Sequence, residues 1–431
     1  MIVDLKNFNF IGKRPLVSEP MHRFCKVAVL IPVYDENFNM VLRPLYSLAG
    51  QKGVGFDEFE AVVIVNNSKD EAKNKSKEFV ANQRAIKLIR FVQKLSSKPL
   101  ENLSGENLKQ IKKIWQSGLN VRLIDKSALQ IAVVENNVGL ARRVAAGDIV
   151  RRFFENGQKE RGIILVTDAD CAFSPNTIYE IISTFLKYPI NGLAGNLVPI
   201  IDPEFPEQKL LKKVLEASGE LRPWPKSLRR PGKILYFEKG DSLDSNVLKT
   251  GQNMAVSAGA YLLAGGFEDL DSSEDVLLGQ KISNLPGDIV KNFNYTVTTI
   301  IRPSLRTGAG ALGRRIKYIL DSVENFRLGK SKKIFMLDKQ KISEFYFYLA
   351  ALAKSRKLNA GWLKKLLILY GFNFSGLPQK ELQRMAEIFT LEYSGNIKHH
   401  KFLRTDRTVV EHFYHRFPKK DVTGKFAEFL V

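Results

Sequence analysis

The sequence predicts an α/β fold in which helices flank a mostly parallel β-sheet. The chain has 431 residues, of which 44% are hydrophobic and 26% are charged, a composition typical of globular proteins. Short, continuous apolar runs alternate along it with segments of helical periodicity. Continuous runs are typical of strands that are buried on both faces, as in parallel sheets. Because strands alternate with helices, we expect right-handed βαβ crossovers and therefore parallel neighbours.

Four apolar runs in the first part of the chain are the predicted parallel strands. They cover Lys26–Tyr34, Phe59–Asn66, Gln130–Val134 and Gly162–Val166. The segments between these runs place apolar residues at helical spacing. The predicted helices cover Asn39–Leu48, Asp70–Phe91, Glu106–Gln116 and Leu140–Asn156.

The second part of the chain contains both kinds of element. Strands are predicted over Gly192–Pro199 and over Asp288–Ile301, where residue types alternate. Gly251–Gly266 predicts a strand and then a helix that ends at Gly-Gly. Further helices are predicted over Pro175–Lys187, Lys209–Glu220 and Asp275–Ile282. From about residue 313 the pattern is helical and basic to the last residue.

Positive charge is concentrated in the last third of the chain. The formal net charge is +21, and the residues from Arg306 onward hold 25 Lys and Arg against 11 Asp and Glu, an excess of +14. Such a surface attracts phosphate groups, although it is equally consistent with solubility alone. No helix-turn-helix, zinc or aromatic-basic motif indicates nucleic-acid binding.

The cysteine and histidine content argues against disulfide and zinc frameworks. The two cysteines, Cys25 and Cys171, are too few for a disulfide framework and favour a reducing compartment. We interpret Cys171 as a small buried residue. None of the five histidines is spaced with a cysteine as a zinc site requires. We see no secretory signal and no run of about 20 strongly apolar residues, so we expect a cytoplasmic protein.

Two carboxylates follow one of the predicted strands directly. In residues 163–170 (IILVTDAD), four apolar residues lead to Asp168 and Asp170. Ligands of open α/β sheets bind outside the carboxyl ends of the strands. Carboxylates at that edge suit a hard divalent cation that also holds phosphates. Capping of the strand end is the alternative interpretation.

Other polar motifs follow the predicted strands in a definite order. The first strand ends in IPVYDE (31–36) and the second in VNNSKD (65–70). The third is followed by ENNVGLARR (135–143). Farther along the chain come GGF (265–267) and SEDVLLG (273–279).

This set of motifs resembles the family 2 nucleotide-sugar glycosyltransferases of the GT-A fold. The resemblance covers about residues 26–310, and the order of the motifs is more specific than any one of them. It implies an N-terminal extension over 1–25, a glycosyltransferase domain over 26–310 and a helical basic region over 311–431. Within the domain it implies a nucleotide-binding half (26–170) and an acceptor-binding half (171–310).

The resemblance also implies roles for individual residues. The residues matched to nucleotide-sugar binding are Pro32, Val33, Tyr34, Glu36, Asn66, Ser68, Asp70, Gly139, Arg143 and Asp168. The family usually has Asn where Asp35 stands, and many relatives have Asp where Asn66 stands. Since Asn both donates and accepts hydrogen bonds, the identity of the base stays open.

The remaining matches concern the metal, the acceptor and the reaction. Asp168 and Asp170 would ligate Mn²⁺ or Mg²⁺, and the residues matched to acceptor binding are Gly265, Gly266 and Phe267. Asp275 matches the base of inverting members, with Glu274 beside it. The chemistry needs these residue types, because a divalent cation neutralises a leaving diphosphate and a carboxylate takes the proton of the attacking hydroxyl.

Structural interpretations of the same residues remain open. Asp275 could cap a helix, Gly265 and Gly266 could end one, and residues 66–70 could form a turn without a ligand. Arg143 could be a solvated helix residue. The segment 302–307, with Arg302, Ser304, Arg306 and Thr307, could contact phosphate or form a plain basic loop. We expect no metal role for His399-His400.

The expected function is metal-dependent, inverting transfer of a sugar from a nucleotide donor to an unidentified acceptor hydroxyl, in cell-surface polysaccharide or glycolipid synthesis. A nucleotidyltransferase and a non-catalytic basic membrane-surface-binding protein are the alternatives. Within residues 360–374, Trp362, Leu363, Leu366, Leu367 and Tyr370 are predicted to share one helical face. That face could lie on the inner surface of an anionic membrane or pack on the protein's own core.

Overall fold

The computed structural model describes most of the first 301 residues and parts of the rest. The longer described ranges are 15–94, 103–132, 137–202, 208–218, 251–270, 274–301, 312–331 and 357–370. Shorter pieces include 234–237, 335–337, 378–380 and 419–421. The chain forms two compact units, one of Met1–Ile200 with Pro223–Ile301 and the other of Ile201–Arg222 with Arg302–Val431.

The first unit begins with four parallel strands. They are β1 (Val27–Val33), β2 (Phe59–Asn66), β3 (Asn120–Lys126) and β4 (Ile163–Val166), arranged side by side as β3–β2–β1–β4. The helices between them are α1 (Phe38–Leu48), α2 (Lys69–Asn74), α3 (Lys77–Val92), α4 (Gly105–Ser117) and α5 (Val138–Glu155). All residues of β2 and β4 are buried, as continuous apolar strands require.

The sheet continues with antiparallel pairings. The strands are β5 (Cys171–Phe173), β6 (Ile190–Ile201), β7 (Ile234–Phe237), β8 (Met254–Ser257) and β9 (Asp288–Ile301). The order is β4–β8–β6–β9–β5, and β7 also pairs with β9. The helices of this part are α6 (Thr177–Lys187), α8 (Ala258–Leu263) and α9 (Glu274–Ser283).

Helices cover both faces of the sheet. Val29 and Ile31 of β1 belong to the core on one face, with residues of α1, α3 and α4. Ala28 and Leu30 belong to the core on the other face, with residues of α5 and α8. Alternate residues of a strand point to opposite faces, so β1 is buried from both sides. The predicted α/β fold, with a helix-flanked sheet, is confirmed. The strands β3–β2–β1–β4 are parallel neighbours, whereas β8 pairs antiparallel with both β4 and β6.

Two predicted elements differ from the structure. Residues 130–132 form a turn, and the third strand is Asn120–Lys126. It lies at the edge of the sheet, where polar residues are favoured, so it lacks the continuous apolar run of its neighbours. The helix predicted over Asp70–Phe91 is two helices, because Lys75 adopts the left-handed conformation at φ 48° and interrupts the helix.

The second unit contains helices and a small sheet. Its helices include α7 (Gln208–Ser218), α10 (Leu312–Arg327) and α11 (Ala360–Leu369). Strands β10 (Phe335–Leu337) and β11 (Lys419–Asp421) pair antiparallel, whereas the pattern predicted only helices there. The predicted domain boundary at residue 310 falls outside the described residues. Across the described parts of the chain, none of the helices has the length and apolar character needed to span a bilayer.

Candidate active site

The carboxyl ends of β1, β2 and β4 lie at one edge of the sheet. The register pairs Leu30 of β1 with Val166 of β4, and Val33 of β1 with Val65 of β2. The chain therefore leaves β4 beside the end of β1, and the N–H of Thr167 donates to the carbonyl of Leu30. This geometry places Asp168 at the edge where a ligand of an α/β sheet binds.

Arg142 of α5 lies between acidic residues from two distant parts of the chain. Its Nη2 is 2.5 Å from Oδ1 of Asp168, just beyond β4, and its Nη1 donates to Oε1 of Glu274 in the first turn of α9. The Arg142 side chain is 4% exposed and that of Glu274 is 3% exposed. A buried guanidinium therefore joins the strand-end carboxylate to α9. We use the name Arg142 cluster for the group formed by Arg142, Asp168, Gly251, Glu274 and Asp275.

The backbone of Gly251 completes the Arg142 cluster. Its carbonyl accepts from Nη2 of Arg142 at 3.4 Å, and its N–H donates to Oδ2 of Asp275 at 2.5 Å. A Cβ at residue 251 would lie 2.5 Å from Nη1 of Arg142. Glycine thus leaves the space that the guanidinium occupies. Just after it, the carbonyl of Gln252 accepts from Oγ1 of Thr167 at 3.3 Å.

The pKa values of the Arg142 cluster are set by one cation, Arg142, among three carboxylates. Burial would lower the pKa of Arg142, but Asp168 and Glu274 beside it raise that pKa above its ordinary value. Loss of water raises the pKa of Asp168, against the pull of Arg142. Burial, with nearby Asp275 and Asp168, raises the pKa of Glu274 to about 7, although Arg142 opposes the shift. The cluster is therefore suited to an additional positive charge.

Asp170 is held by residues of β9 and α1. Oγ1 of Thr299 donates to its Oδ1 at 3.2 Å, and Nε of Arg43 donates to its carbonyl oxygen at 3.0 Å. Arg43 also donates to Oγ1 of Thr298 at 3.1 Å. These contacts hold the turn after β4 against β9, the last strand but one of the sheet. The Asp170 carboxylate therefore has a defined orientation.

The carboxylates after β4 fit the predicted metal by their chemistry. The part of the chain that the structure describes contains no group of three or more His, Cys, Asp and Glu side chains placed to hold an ion. Mg²⁺ and similar ions need only one or two carboxylates when substrate phosphates complete the coordination. Asp170 is half-buried and the Asp168 side chain is 31% exposed, so both can meet a phosphate-bound ion.

The thiol next to these carboxylates is inert. Cys171 is fully buried, which confirms the sequence interpretation. Burial raises the pKa of its thiol well above the ordinary value, and the neighbouring Asp170 and Asp168 carboxylates raise it further. A thiol that stays protonated is a poor nucleophile and a poor metal ligand.

Five of the residues predicted to bind the nucleotide-sugar lie at the ends of β1 and β2. Tyr34 donates its hydroxyl to Oε1 of Glu71 at 2.5 Å. Asn82 links the two strand ends, since it accepts from the N–H of Asp35 and donates to the carbonyl of Asn66. Pro32, Tyr34 and Glu36 are half-buried, whereas the side chains of Val33 and Asn66 are buried. Whether any of them contacts a base stays a prediction.

The Ser-Lys-Asp part of the second motif has a structural function. Ser68 is the N-cap of α2, where its Oγ accepts from the N–H of Glu71 and the Glu71 carboxylate accepts from the N–H of Ser68. This reciprocal pair is a capping box. Asp70 is exposed in the first turn of the same helix. The turn interpretation of these two residues therefore has direct structural support.

Gly139 allows the start of α5 to dock on residues 268–270. A Cβ on Gly139 would lie 2.7 Å from the backbone nitrogen of Leu270, and the Gly139 N–H donates to the Leu270 carbonyl at 3.1 Å. The N-cap residue Asn137 donates to Oδ1 of Asp269 at 2.6 Å. Arg143 is half-buried on this helix. The prediction selected Arg143, but its neighbour Arg142 is the arginine of α5 that pairs with Asp168 and Glu274.

Gly265 and Gly266 end α8. Both have positive φ, and their N–H groups donate to the carbonyls of Leu262 and Tyr261. This arrangement is a Schellman motif. The Phe267 side chain is fully buried, with its ring centroid 5.8 Å from that of Tyr261. Contact of these three residues with an acceptor stays a prediction, and it would involve the backbone rather than the Phe267 ring.

Asp275 lies in the first turn of α9 and is half-buried. Its Oδ1 accepts from the N–H of the next residue, Val276, at 2.8 Å. An N-cap accepts from the second or third residue of its helix, and α9 already begins at Glu274, so Asp275 does not cap a helix that starts at Val276. Its Oδ2 belongs to the Arg142 cluster. Residues 302–307 and His399-His400 lie outside the described residues.

Comparisons with known proteins give structural neighbours of low identity. No family model and no curated protein matches the sequence. The structure of S. aureus TarS 1–349 with UDP-GlcNAc matches at 16% identity and TM-score 0.41, over 70% of this chain and 65% of that one. GalNAc-T7 with UDP, GalNAc and Mn²⁺ matches at 12% identity and TM-score 0.37, over 71% and 51%.

A third neighbour is the mannosyltransferase PcManGT from Pyrobaculum calidifontis with GDP-Man and Mn²⁺. It matches at 13% identity and TM-score 0.35, over 75% of this chain and 69% of that one. This chain thus spans somewhat less than two thirds of the TarS structure. The chemistry of the candidate site rests on its own residues.

Proposed function

We propose that the protein is a metal-dependent, inverting glycosyltransferase that moves a sugar from a nucleoside diphosphate to an acceptor hydroxyl. The supporting observation is the Arg142 cluster. It joins Asp168, at the sheet edge, to Glu274 and Asp275, which lie more than a hundred residues farther along the chain. Transfer between two substrates needs one acidic site for the leaving diphosphate and another for the attacking hydroxyl.

The leaving-group side is formed by the residues after β4. Asp170, oriented by Thr299, and Asp168 would hold Mn²⁺ or Mg²⁺, which supplies a Lewis acid for the departing diphosphate. In this proposal Tyr34 and Asn66, at the neighbouring strand ends, would contact the nucleoside. The donor sugar and the base remain open in this proposal.

The attacking side is formed by the first turn of α9. We assign the base to Asp275, which is half-buried and can reach a ligand, whereas the Glu274 side chain is 3% exposed and paired with Arg142. The acceptor hydroxyl gives its proton to the Asp275 carboxylate as its oxygen bonds to the anomeric carbon. The bond from that carbon to the diphosphate breaks, and its electron pair leaves with the phosphate oxygen. Attack from the opposite side inverts the anomeric centre.

Isothermal titration calorimetry with UDP, GDP and ADP, each with and without Mn²⁺, tests the proposal. We expect at least one diphosphate to bind, and to bind more tightly with Mn²⁺. Thermal unfolding should shift upward under the same conditions, since a ligand of the folded state stabilises it. Asp170→Asn should lose the effect of Mn²⁺ on binding, and Asp57→Asn is the matched control, because its carboxylate is 47% exposed and precedes the start of β2, away from the proposed site. Absence of metal-dependent binding for every diphosphate would overturn the proposal, and preferential binding of triphosphates would favour a nucleotidyltransferase.

A further inference from the structure

Helix α11 exposes large apolar side chains to solvent. Trp362 is 46% exposed, Ile368 is 67% exposed and Leu369 is 71% exposed. Among the described helices, no other one exposes three large apolar residues to this degree. Clusters of exposed apolar side chains mark interaction surfaces, whereas single exposed apolar side chains are ordinary on a protein surface.

The inner face of the same helix is already packed. Leu363, Leu366, Leu367 and Tyr370 are buried, so the predicted single apolar face is divided: only Trp362 of that set points outward. The core interpretation is therefore right for the inner residues. The outer residues Ile368 and Leu369 were not part of the predicted face, and nothing in the helix's own packing requires them to be apolar.

The outer face also carries positive charge. Lys364 and Lys365 are exposed, and the helix contains no acidic residue. Nζ of Lys365 lies over the Trp362 ring, 4.9 Å from its centroid, so the ammonium group is in contact with the indole. Tyr348, which is 49% exposed, stacks on Tyr370 at the end of the helix. Trp, Tyr and Lys beside aliphatic residues are typical of helices that lie in a lipid interface.

We propose that the outer face of α11 (Trp362, Lys364, Lys365, Ile368 and Leu369) docks on an anionic lipid surface. The apolar side chains would enter the boundary between headgroups and acyl chains, while the two lysines contact lipid phosphates. The excess of +14 charges from Arg306 onward complements such a surface. A helix of ten residues is too short to cross a bilayer, so the contact is interfacial. The proposal does not depend on the proposed enzymatic activity.

Co-sedimentation of the full chain with vesicles tests the docking surface. One set contains phosphatidylcholine alone, and the other contains phosphatidylcholine mixed with phosphatidylglycerol. We expect binding to the mixed vesicles at low salt, and weaker binding at high salt, because salt screens the attraction. Lys364→Gln with Lys365→Gln should weaken binding by roughly 25-fold, since each basic residue near such a surface contributes about fivefold.

Matched variants separate this face from general effects of charge. Ile368→Glu with Leu369→Glu should abolish sedimentation, whereas Leu186→Glu with Leu263→Glu, at residues 75% and 61% exposed, should not. Lys77→Gln with Lys109→Gln is the control for the lysines, since those side chains are 85% and 80% exposed. Circular dichroism of each variant checks that it is folded.

Three results would overturn the proposal. The first is that the protein stays in the supernatant with mixed vesicles at low salt. The second is that the α11 variants and their controls lose binding equally. The third is that the wild-type chain self-associates in size-exclusion chromatography and the α11 variants do not, which would assign the face to a second copy of the chain.

A blue shift of tryptophan fluorescence on adding mixed vesicles, absent in Trp362→Phe, would support insertion of the ring.

Discussion

Arg142 and Glu274 form a buried ion pair between helices α5 and α9. Their side chains are 4% and 3% exposed, so both charges have lost most of their water. Removing one partner from such a pair leaves the other uncompensated. The two residues therefore depend on each other, and the position of Asp275 depends on both.

Replacing Arg142 with Met should be strongly destabilising. We expect a loss of about 3–5 kcal/mol in the free energy of unfolding, because Glu274 stays buried without its partner. Urea denaturation gives this value, and adding Glu274→Gln should recover part of it. Arg90→Met is the control, since the Arg90–Asp125 pair is at the surface, with Arg90 54% exposed, and should cost about 1 kcal/mol or less. Equal losses for the two arginine variants would contradict a special role of Arg142.

Gly251→Ala should disturb the Arg142 cluster without changing any charge. The added Cβ would lie 2.5 Å from Nη1 and 2.8 Å from Cζ of Arg142, so the guanidinium must move. We expect lower stability together with weaker Mn²⁺-dependent binding of diphosphate. Gly105→Ala in the first turn of α4 meets nothing within 4 Å and should be neutral or slightly stabilising. If Gly251→Ala unfolds at the wild-type temperature, the close approach of Arg142 to residue 251 does not require glycine there.

Glu274 should make stability depend on pH. Burial, with Asp275 and Asp168 nearby, raises its pKa to about 7 in the folded protein, from 4.5. Between these values the folded state binds more protons than the unfolded state, so this contribution to stability is present at low pH and is lost as pH rises through about 7. The full difference corresponds to about 3 kcal/mol.

The difference between wild type and Glu274→Gln isolates this residue from other buried acids. The wild-type free energy of unfolding should fall relative to that of Glu274→Gln as pH rises from about 4.5 to about 7. Denaturation curves measured across this range give the difference directly. Parallel pH profiles for the two proteins would show that Glu274 does not titrate there.

The position of the candidate site could be predicted from the sequence, but the cation at its centre was not. The apolar run before Asp168 identified β4, and the order of strands placed that carboxylate at the sheet edge. Arg142 and Arg143 are adjacent, and only helix phase decides which one points inward. Arg142 is three and seven residues from Ala145 and Ile149, and Arg143 has the same spacing to Ala146 and Val150. All four of these apolar residues are fully buried, so the periodicity of α5 does not distinguish the two arginines.

Three features of the structure could not be predicted from the sequence: the glycine at 251, the position of the third strand and the division of the α11 face. The need for glycine at 251 arises only when Arg142 occupies the space beside it. The third strand was misplaced because an edge strand such as NVRLIDK has no continuous apolar run. The division of the α11 face between core and solvent likewise depends on what packs against it, which no local pattern specifies.

Thr299→Val should weaken metal-dependent nucleotide binding if Asp170 is a ligand. The Thr299 hydroxyl donates a hydrogen bond to Oδ1 of Asp170, and valine keeps the shape of threonine without the donor. Loss of such a supporting hydrogen bond typically costs 10–100-fold in metal affinity. Calorimetry with Mn²⁺ and the diphosphate that binds wild type measures this. Thr296→Val on the same strand is the control, and equal affinity for the two variants would refute the positioning role.

Asp275→Asn should separate the proposed reaction from substrate binding. Asparagine keeps the size of the side chain and an oxygen for the N–H of Gly251, but it cannot take a proton from an acceptor hydroxyl. We expect transfer, or hydrolysis of the donor by water, to slow by about 10²–10⁴-fold. Binding of diphosphate with Mn²⁺ should stay close to wild type, because the donor side depends on Asp168 and Asp170. Asp57→Asn, at a side chain that is 47% exposed before the start of β2, should leave the rate unchanged. A near wild-type rate for Asp275→Asn would mean that this carboxylate only holds Gly251 and the first turn of α9, and that another group takes the proton.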